Sequence, residues 1–205
     1  MLLALHFVFG FITSFLGSLT PSMLNMTAAK ISLNKGKKDA VKFAIGVSII
    51  VFIQAYVATL FTRFLRENPM FVQSLQKIAL VIFMALSFYF YKQYKKDKIK
   101  TKQPKKDSKN TFVVGVLLAS LNMFSIPFYC GITTALDVAG WLQFSQLYII
   151  TFVIGSTIGT FALLYMYLNY AKKIQMKSKG LSKNLNLILS ILTGVLAVVT
   201  FIKVL

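Results

Sequence analysis

The chain has 205 residues, 57% of them hydrophobic and only 14% charged, with 23 Lys and Arg against 5 Asp and Glu for a net charge of +18. That apolar share exceeds a soluble domain's, and runs of about 20 uncharged residues, enough to cross a hydrocarbon slab of roughly 30 Å as a helix, recur along it; a membrane barrel would show shorter, alternating segments. One Cys excludes an intrachain disulfide, and one His with five scattered acids offers no metal-ligand cluster, so neither a metal nor any other cofactor is expected.

The first predicted helix covers 3–29. Met1 to Ala29 carries no Lys, Arg, Asp or Glu. With no basic n-region the segment reads as a retained membrane helix rather than a signal peptide. Its middle, GSLTPSMLNM, is interrupted by polar groups. Gly10, Ser14, Gly17, Ser18, Pro21, Ser22 and Asn25 recur at steps of three and four, on one helix face. Pro21 removes a backbone donor and frees the carbonyl one turn earlier. At membrane depth such groups persist only against protein or a water-filled cavity. His6, near the outer end, is either a titrating group or a structurally satisfied one.

The second predicted helix, 41–62, opens beside Asp39, whose carboxylate suits the positive helix end. Gln54 at its centre needs a hydrogen-bond partner and either lines a cavity or bridges helices. A third helix, 69–91, contains Lys77, whose stem can snorkel to the interface or meet a substrate or coupling group. Segment 92–110 is a basic linker, read as a solvated tether that also sets orientation, with contact to anionic head groups as a second reading.

The fourth helix, 111–136, repeats the pattern of the first in ASLNMFSIPFYCG: Gly115, Ala119, Asn122, Ser125, Tyr129 and Thr133 share a face, and Pro127 acts as Pro21 does. The fifth, 144–170, carries a small-residue face of Thr151, Gly155, Gly159 and Ala162, suited to a homodimer contact or to internal packing. The sixth covers 185–203.

Basic residues concentrate in the first, third and fifth loops, Lys30 to Lys42, Lys92 to Lys109 and Lys172 to Lys183, whereas the even loops hold only Arg63 and Arg66 beside Glu67 and Asp137. This bias places the odd loops in the cytoplasm and both termini outside. It also accounts for the net charge without a nucleic-acid partner. The expected fold is therefore an all-α membrane protein of six transmembrane helices, arranged as two inverted three-helix repeats, 1–91 and 111–205, joined by linker 92–110. Paired interruptions in inverted halves point to a transporter's binding region. The candidate substrate-binding residues are Ser18, Thr20, Pro21, Ser22, Asn25, Gln54, Asn122, Ser125 and Pro127. The alternative is that the same stripes are helix-packing surfaces. A thiol-disulfide carrier would need two thiols, and Cys130 is alone.

The stretch GSLTPSMLNMTAAKISLNKGKKDAVKFAIGVSI resembles the opening of the lysine exporter (LysE/RhtB) family, whose first helix breaks at a Pro-Gly-Pro-Asn type motif followed by a glycine-containing loop and a glycine in the second helix. Pro21 and Ser22 fall on that family's second proline and asparagine, and Gly36 and Gly46 on the following glycines. Leu19 and Thr20 replace its Pro-Gly. In the second half Asn122 matches an Asn-Pro break in which Met123 replaces the proline, and Pro127 comes later. The resemblance implies a multi-pass protein of the bacterial plasma (inner) membrane that exports amino acids or related small metabolites by alternating access, coupled to the proton gradient. A non-transporting scaffold, or a transporter of another solute on the same fold, is the alternative.

Overall fold

The computed structural model describes residues 1–19, 22–71, 81–82, 84–89, 91–92, 110–122, 124–173, 191, 194–195, 197–198 and 200–202. Among these every regular element is a helix: α1 (Leu2–Gly17), α2 (Met23–Lys35), α3 (Lys37–Glu67), α4 (Thr111–Ser120), α5 (Ser125–Val138) and α6 (Gln146–Asn169). Helical residues also occur at 69–71, 81–82, 84–89 and 91 within the third predicted helix, and at 191, 194–195, 197–198 and 200–202 within the sixth. Lys77 and linker residues 93–109 lie outside the described residues.

At 1.5 Å per residue α3 reaches about 46 Å and α6 about 36 Å, so each exceeds a hydrocarbon core of about 30 Å. The other four, about 15 to 24 Å each, fall short. By length and composition α3 and α6 can each cross a membrane, and α4 with α5 makes a third span if the pair, bent by 62° at its break, counts as one. The first predicted helix is likewise two, α1 and α2, separated at 18–22.

Local chemistry sets these boundaries. Ser22 caps α2 by accepting the Asn25 amide through its Oγ at 3.3 Å, and Asn110 caps α4 by accepting from the Phe112 amide at 3.1 Å. Gly36, at φ 91, lets the chain leave α2 and enter α3 with one intervening residue. Asp39 lies in the first turn of α3, as expected from the helix dipole, 3.4 Å from Lys42.

By packing the chain forms two compact units, Met1–Phe64 with Asp107–Lys177, and Leu65–Lys106 with Ser178–Leu205. The first is built around Phe43, Val47, Ala119, Tyr129, Phe152 and Leu164. Two backbone-close helix crossings organise it. A Cβ on Gly10 of α1 would overlap the Phe152 carbonyl of α6, and Cβ atoms on Gly155 and Gly159 would overlap the Phe7 and Phe11 carbonyls of α1. Across the other crossing, Gly46 of α3 lies against the Phe112 carbonyl of α4 and Gly115 of α4 against the Phe43 carbonyl of α3. Small residues permit this approach, and dispersion between touching backbones rewards it. Of the two readings of the fifth predicted helix, internal packing is therefore the one seen: its Gly155 and Gly159 face is covered by α1. In the second unit Gly194 lies beside Ser87, and Met84, Phe88, Tyr91 and Ala197 help line a cavity of about 430 Å³.

Candidate functional site: two interrupted helices and their hydrogen bonds

A helix end leaves its last carbonyls without intrahelical donors, and side chains supply donors here. At the first break the Asn25 Nδ2 donates to the Ser18 carbonyl at 2.7 Å. The Tyr167 hydroxyl, from α6, donates to the Leu19 carbonyl at 2.8 Å. Asn25 is buried, Ser18 half-buried, and Ser22 exposed at its capping position. Thr20 and Pro21 lie outside the described residues.

At the second break Gln54, from the middle of α3, donates its Nε2 to the Ala119 carbonyl at 3.0 Å. Its Oε1 is buried and has no partner among the described residues. Turning the amide over would set Oε1 against the Ala119 oxygen, two acceptors face to face, so the carbonyl fixes the orientation. Asn122 is satisfied locally: its Nδ2 donates to Ser125 Oγ at 2.8 Å and its Oδ1 accepts from the Phe124 amide at 3.4 Å. Ser125 is buried at the start of α5. Pro127 is exposed and falls in the first turn of α5, where a missing N–H costs no intrahelical bond. The break thus precedes it, at 121–124.

The two breaks approach each other. A Cβ on Gly17, the last residue of α1, would overlap the ring of Phe128, in the second residue after Ile126 on α5. Phe128 meets Tyr129 edge-on at 5.2 Å. The Tyr129 hydroxyl is 2.9 Å from Ser14 Oγ, which is 2.6 Å from Thr160 Oγ1, so a buried chain of hydroxyls ties α1, α5 and α6 together. A second buried contact, Thr62 to Thr133 at 2.7 Å, ties α3 to α5. None of the residues named at the breaks carries a formal charge, so the region is dipolar and neutral.

His6 belongs to a different place. It is fully buried, its Nε2 accepts from the Gln143 amide at 3.0 Å, and its Nδ1 therefore carries the proton and donates to the Leu2 carbonyl at 2.8 Å. It stacks on Tyr148 at 4.6 Å. Both ring nitrogens are satisfied structurally.

Of the nine sequence-predicted site residues, Ser18, Ser22 and Asn25 meet at the first break, Gln54 reaches the second beside Asn122 and Ser125, and Pro127 turns outward. Sequence reasoning omitted Tyr167 and Thr160 from the site. Their signal was present: Ser156, Thr160 and Tyr167 stand four and seven residues apart on one face of an otherwise apolar helix.

No curated protein and no solved structure matches the chain. The family model described as LysE type translocator matches residues 15–203, a range that takes in both breaks, the glycine-mediated crossing of α3 with α4 and nearly the whole sequence. The chain therefore belongs to the LysE type translocator family, whose members are transporters, and is a multi-pass membrane transporter of small solutes.

Proposed function

We propose that this chain exports an amino acid, or a zwitterion of similar size, from the cytoplasm across the bacterial plasma membrane, and that it binds the solute near the midplane between the two breaks. The observation that carries the reading is the pair of interrupted helices whose terminal carbonyls are met by polar side chains: Asn25 and Tyr167 at one, and at the other Gln54, which shares the Ala119 carbonyl with the Asn122 amide. Such paired interruptions are how transporters place polar groups at membrane depth. The buried Gln54 Oε1 and the freed carbonyls suit an ammonium group, and the N-terminal ends of α2 and α5 suit a carboxylate. A neutral, dipolar lining favours a zwitterion over a divalent metal.

The same reading makes the chain two inverted three-helix repeats of six spans, with both termini outside. The loop-charge bias supports it. So does the reciprocity of the crossings, in which the first helix of each half packs on the second helix of the other through glycines. Alternating access then requires the closed arrangement to open. Asn25, Tyr167 and Gln54 release their carbonyls, and Phe128 leaves Gly17, so that solute groups replace protein donors one for one at little net cost. Ser18, Thr20, Pro21, Ser22, Asn25, Gln54, Asn122, Ser125 and Pro127 form the proposed binding region, with Tyr167 added.

The test compares intracellular and medium metabolite pools in cells with and without the protein, followed by counterflow of the enriched solute in reconstituted vesicles. An amino acid that accumulates outside, and whose counterflow is lost in Asn25→Ala at unchanged abundance, supports the reading. No counterflow of any enriched solute would leave the chain a scaffold on a transporter fold.

A further inference from the structure

The sequence clusters lysines where α2 ends, α3 begins and α6 ends, and the stretches 30–42 and 163–173 contain one acid, Asp39, which Lys42 approaches at 3.4 Å. The structure turns this cluster into a shaped surface. A cavity of about 330 Å³ opens between the last turns of α2 and the end of α6, lined by Ser32, Leu33, Asn169, Tyr170, Lys172 and Lys173 among others. Ser32 Oγ donates to the Leu168 carbonyl at 2.8 Å, which removes one of the α6 terminal acceptors from the wall. Those acceptors would otherwise repel an anion.

Two lysines are posed by aromatic rings. Lys37 Nζ sits 4.9 Å above the ring of Tyr165, one turn before the cavity wall, and Lys173 Nζ sits 6.0 Å above the ring of Tyr170. Both tyrosines are exposed, at 39% and 55%. A cation over an aromatic face keeps its charge while its stem is held against an apolar surface. Lys37 also opens α3, whose unpaired first-turn amides favour an anion.

From Tyr165 an exposed apolar stripe continues along α6 through Ile158 and Ile154, at seven- and four-residue steps. Basic groups, amphipathic rings and an adjoining apolar stripe occur together where a membrane-length helix leaves the hydrocarbon. A soluble anion would use the charges alone. A phospholipid would use all three.

We propose that this surface is a binding site for an anionic phospholipid, its phosphate among Lys37, Lys172 and Lys173 and an acyl chain along Ile158 and Ile154. The site is independent of which solute the chain carries. Anionic head groups attract surface lysines cooperatively, with a steep dependence on salt.

The purified full chain is titrated in a neutral detergent with phosphatidylglycerol, phosphatidylcholine or inorganic phosphate, and retained lipid is counted by native mass spectrometry. Phosphatidylglycerol is expected to be retained in preference to phosphatidylcholine, and inorganic phosphate should not displace it. The double variant Lys37→Gln/Lys173→Gln should weaken retention about fivefold or more, while Arg63→Gln/Arg66→Gln, equal in charge and at the far end of α3, should change it less than about twofold. The substituted lysines are exposed, so a matching thermal midpoint checks that both variants fold. Equal retention of the two lipids, equal loss in the two double variants, or displacement by inorganic phosphate would each overturn the proposal.

Discussion

At residues 18 and 19 the carbonyls freed by the end of α1 are met by two side chains, Asn25 from the next helix and Tyr167 from α6. At the second break the Ala119 carbonyl accepts both the Asn122 backbone amide and Gln54 Nε2, each at 3.0 Å, and Gln54 keeps a buried acceptor, Oε1, without a partner among the described residues. At the first break both described carbonyls, Ser18 and Leu19, are met, one of them by a side chain from another helix of the bundle, α6. The second holds an acceptor in reserve. An unpaired buried oxygen costs about 1–3 kcal/mol, a cost that persists when the group is needed in another state. On the proposed reading, the first break contributes more to shape and the second more to recognition.

Helix packing gives the largest expected effect, because both breaks depend on it. Gly155→Leu forces a side chain into the Phe7 carbonyl of α1 and should destabilise the protein by about 3 kcal/mol, read as a lower thermal midpoint in detergent and poor recovery of folded material. Next comes the first break. Tyr167→Phe leaves the Leu19 carbonyl without its donor and should cost about 1–3 kcal/mol, again as a lower midpoint, with solute export reduced alongside.

Gln54→Leu sharpens the contrast. It removes one of two donors to the Ala119 carbonyl, which keeps the Asn122 amide, and it also removes the unpaired Oε1, so the stability loss should stay near 1 kcal/mol or below. Counterflow, in contrast, should fall about tenfold if Oε1 receives a solute donor. A variant that is stable and inactive at Gln54, beside one that is unstable and partly active at Tyr167, would separate recognition from shape. If both variants lose stability and transport in proportion, the breaks have the same role.

Smaller effects belong to positions with local bonds only. Asn122→Ala breaks a contact to Ser125 within one turn and should cost about 0.5–1 kcal/mol. Gly131, exposed on α5 with open space at its Cβ position, makes the opposite prediction: Gly131→Ala should gain up to about 1 kcal/mol from helix propensity, visible as a raised midpoint.

The sequence made much of this legible, and the reasons differ by feature. Long uncharged runs and polar interruptions are local properties, so α3, α6 and the two breaks could be read directly from spacing. The placement of α3 was right while its ends were short, because Lys37 to Ala40 and Arg63 to Glu67 are charged or polar turns that a hydropathy reading assigns to loops although they continue the helix into water. Pro127 was read as a kink because proline inside an apolar run usually is one; its place in the first turn of α5 depends on where the helix starts, which Asn122 and Ser125 decide together.

Tyr167 was missed for a different reason. Its role comes from a contact with Leu19, distant by 148 positions, and in its own neighbourhood it reads as one more aromatic near a membrane boundary. Gly155 and Gly159 could be recognised as an interface, but spacing alone does not say whether the partner is another chain or α1. The satisfied state of His6 likewise rests on Gln143, in a loop that no helical periodicity reaches.

The most direct test of a solute path between the breaks uses thiol protection. With Cys130→Ala as background, Ser18→Cys and Ser125→Cys are introduced singly and reacted with a water-soluble maleimide in vesicles, with and without the exported solute. Both thiols are expected to react slowly, and the solute should slow each by about fivefold or more, since one ligand occupies the space the two breaks share. Labelling of either site at a rate indifferent to saturating solute, in vesicles that still perform counterflow, would place the path elsewhere and contradict the account.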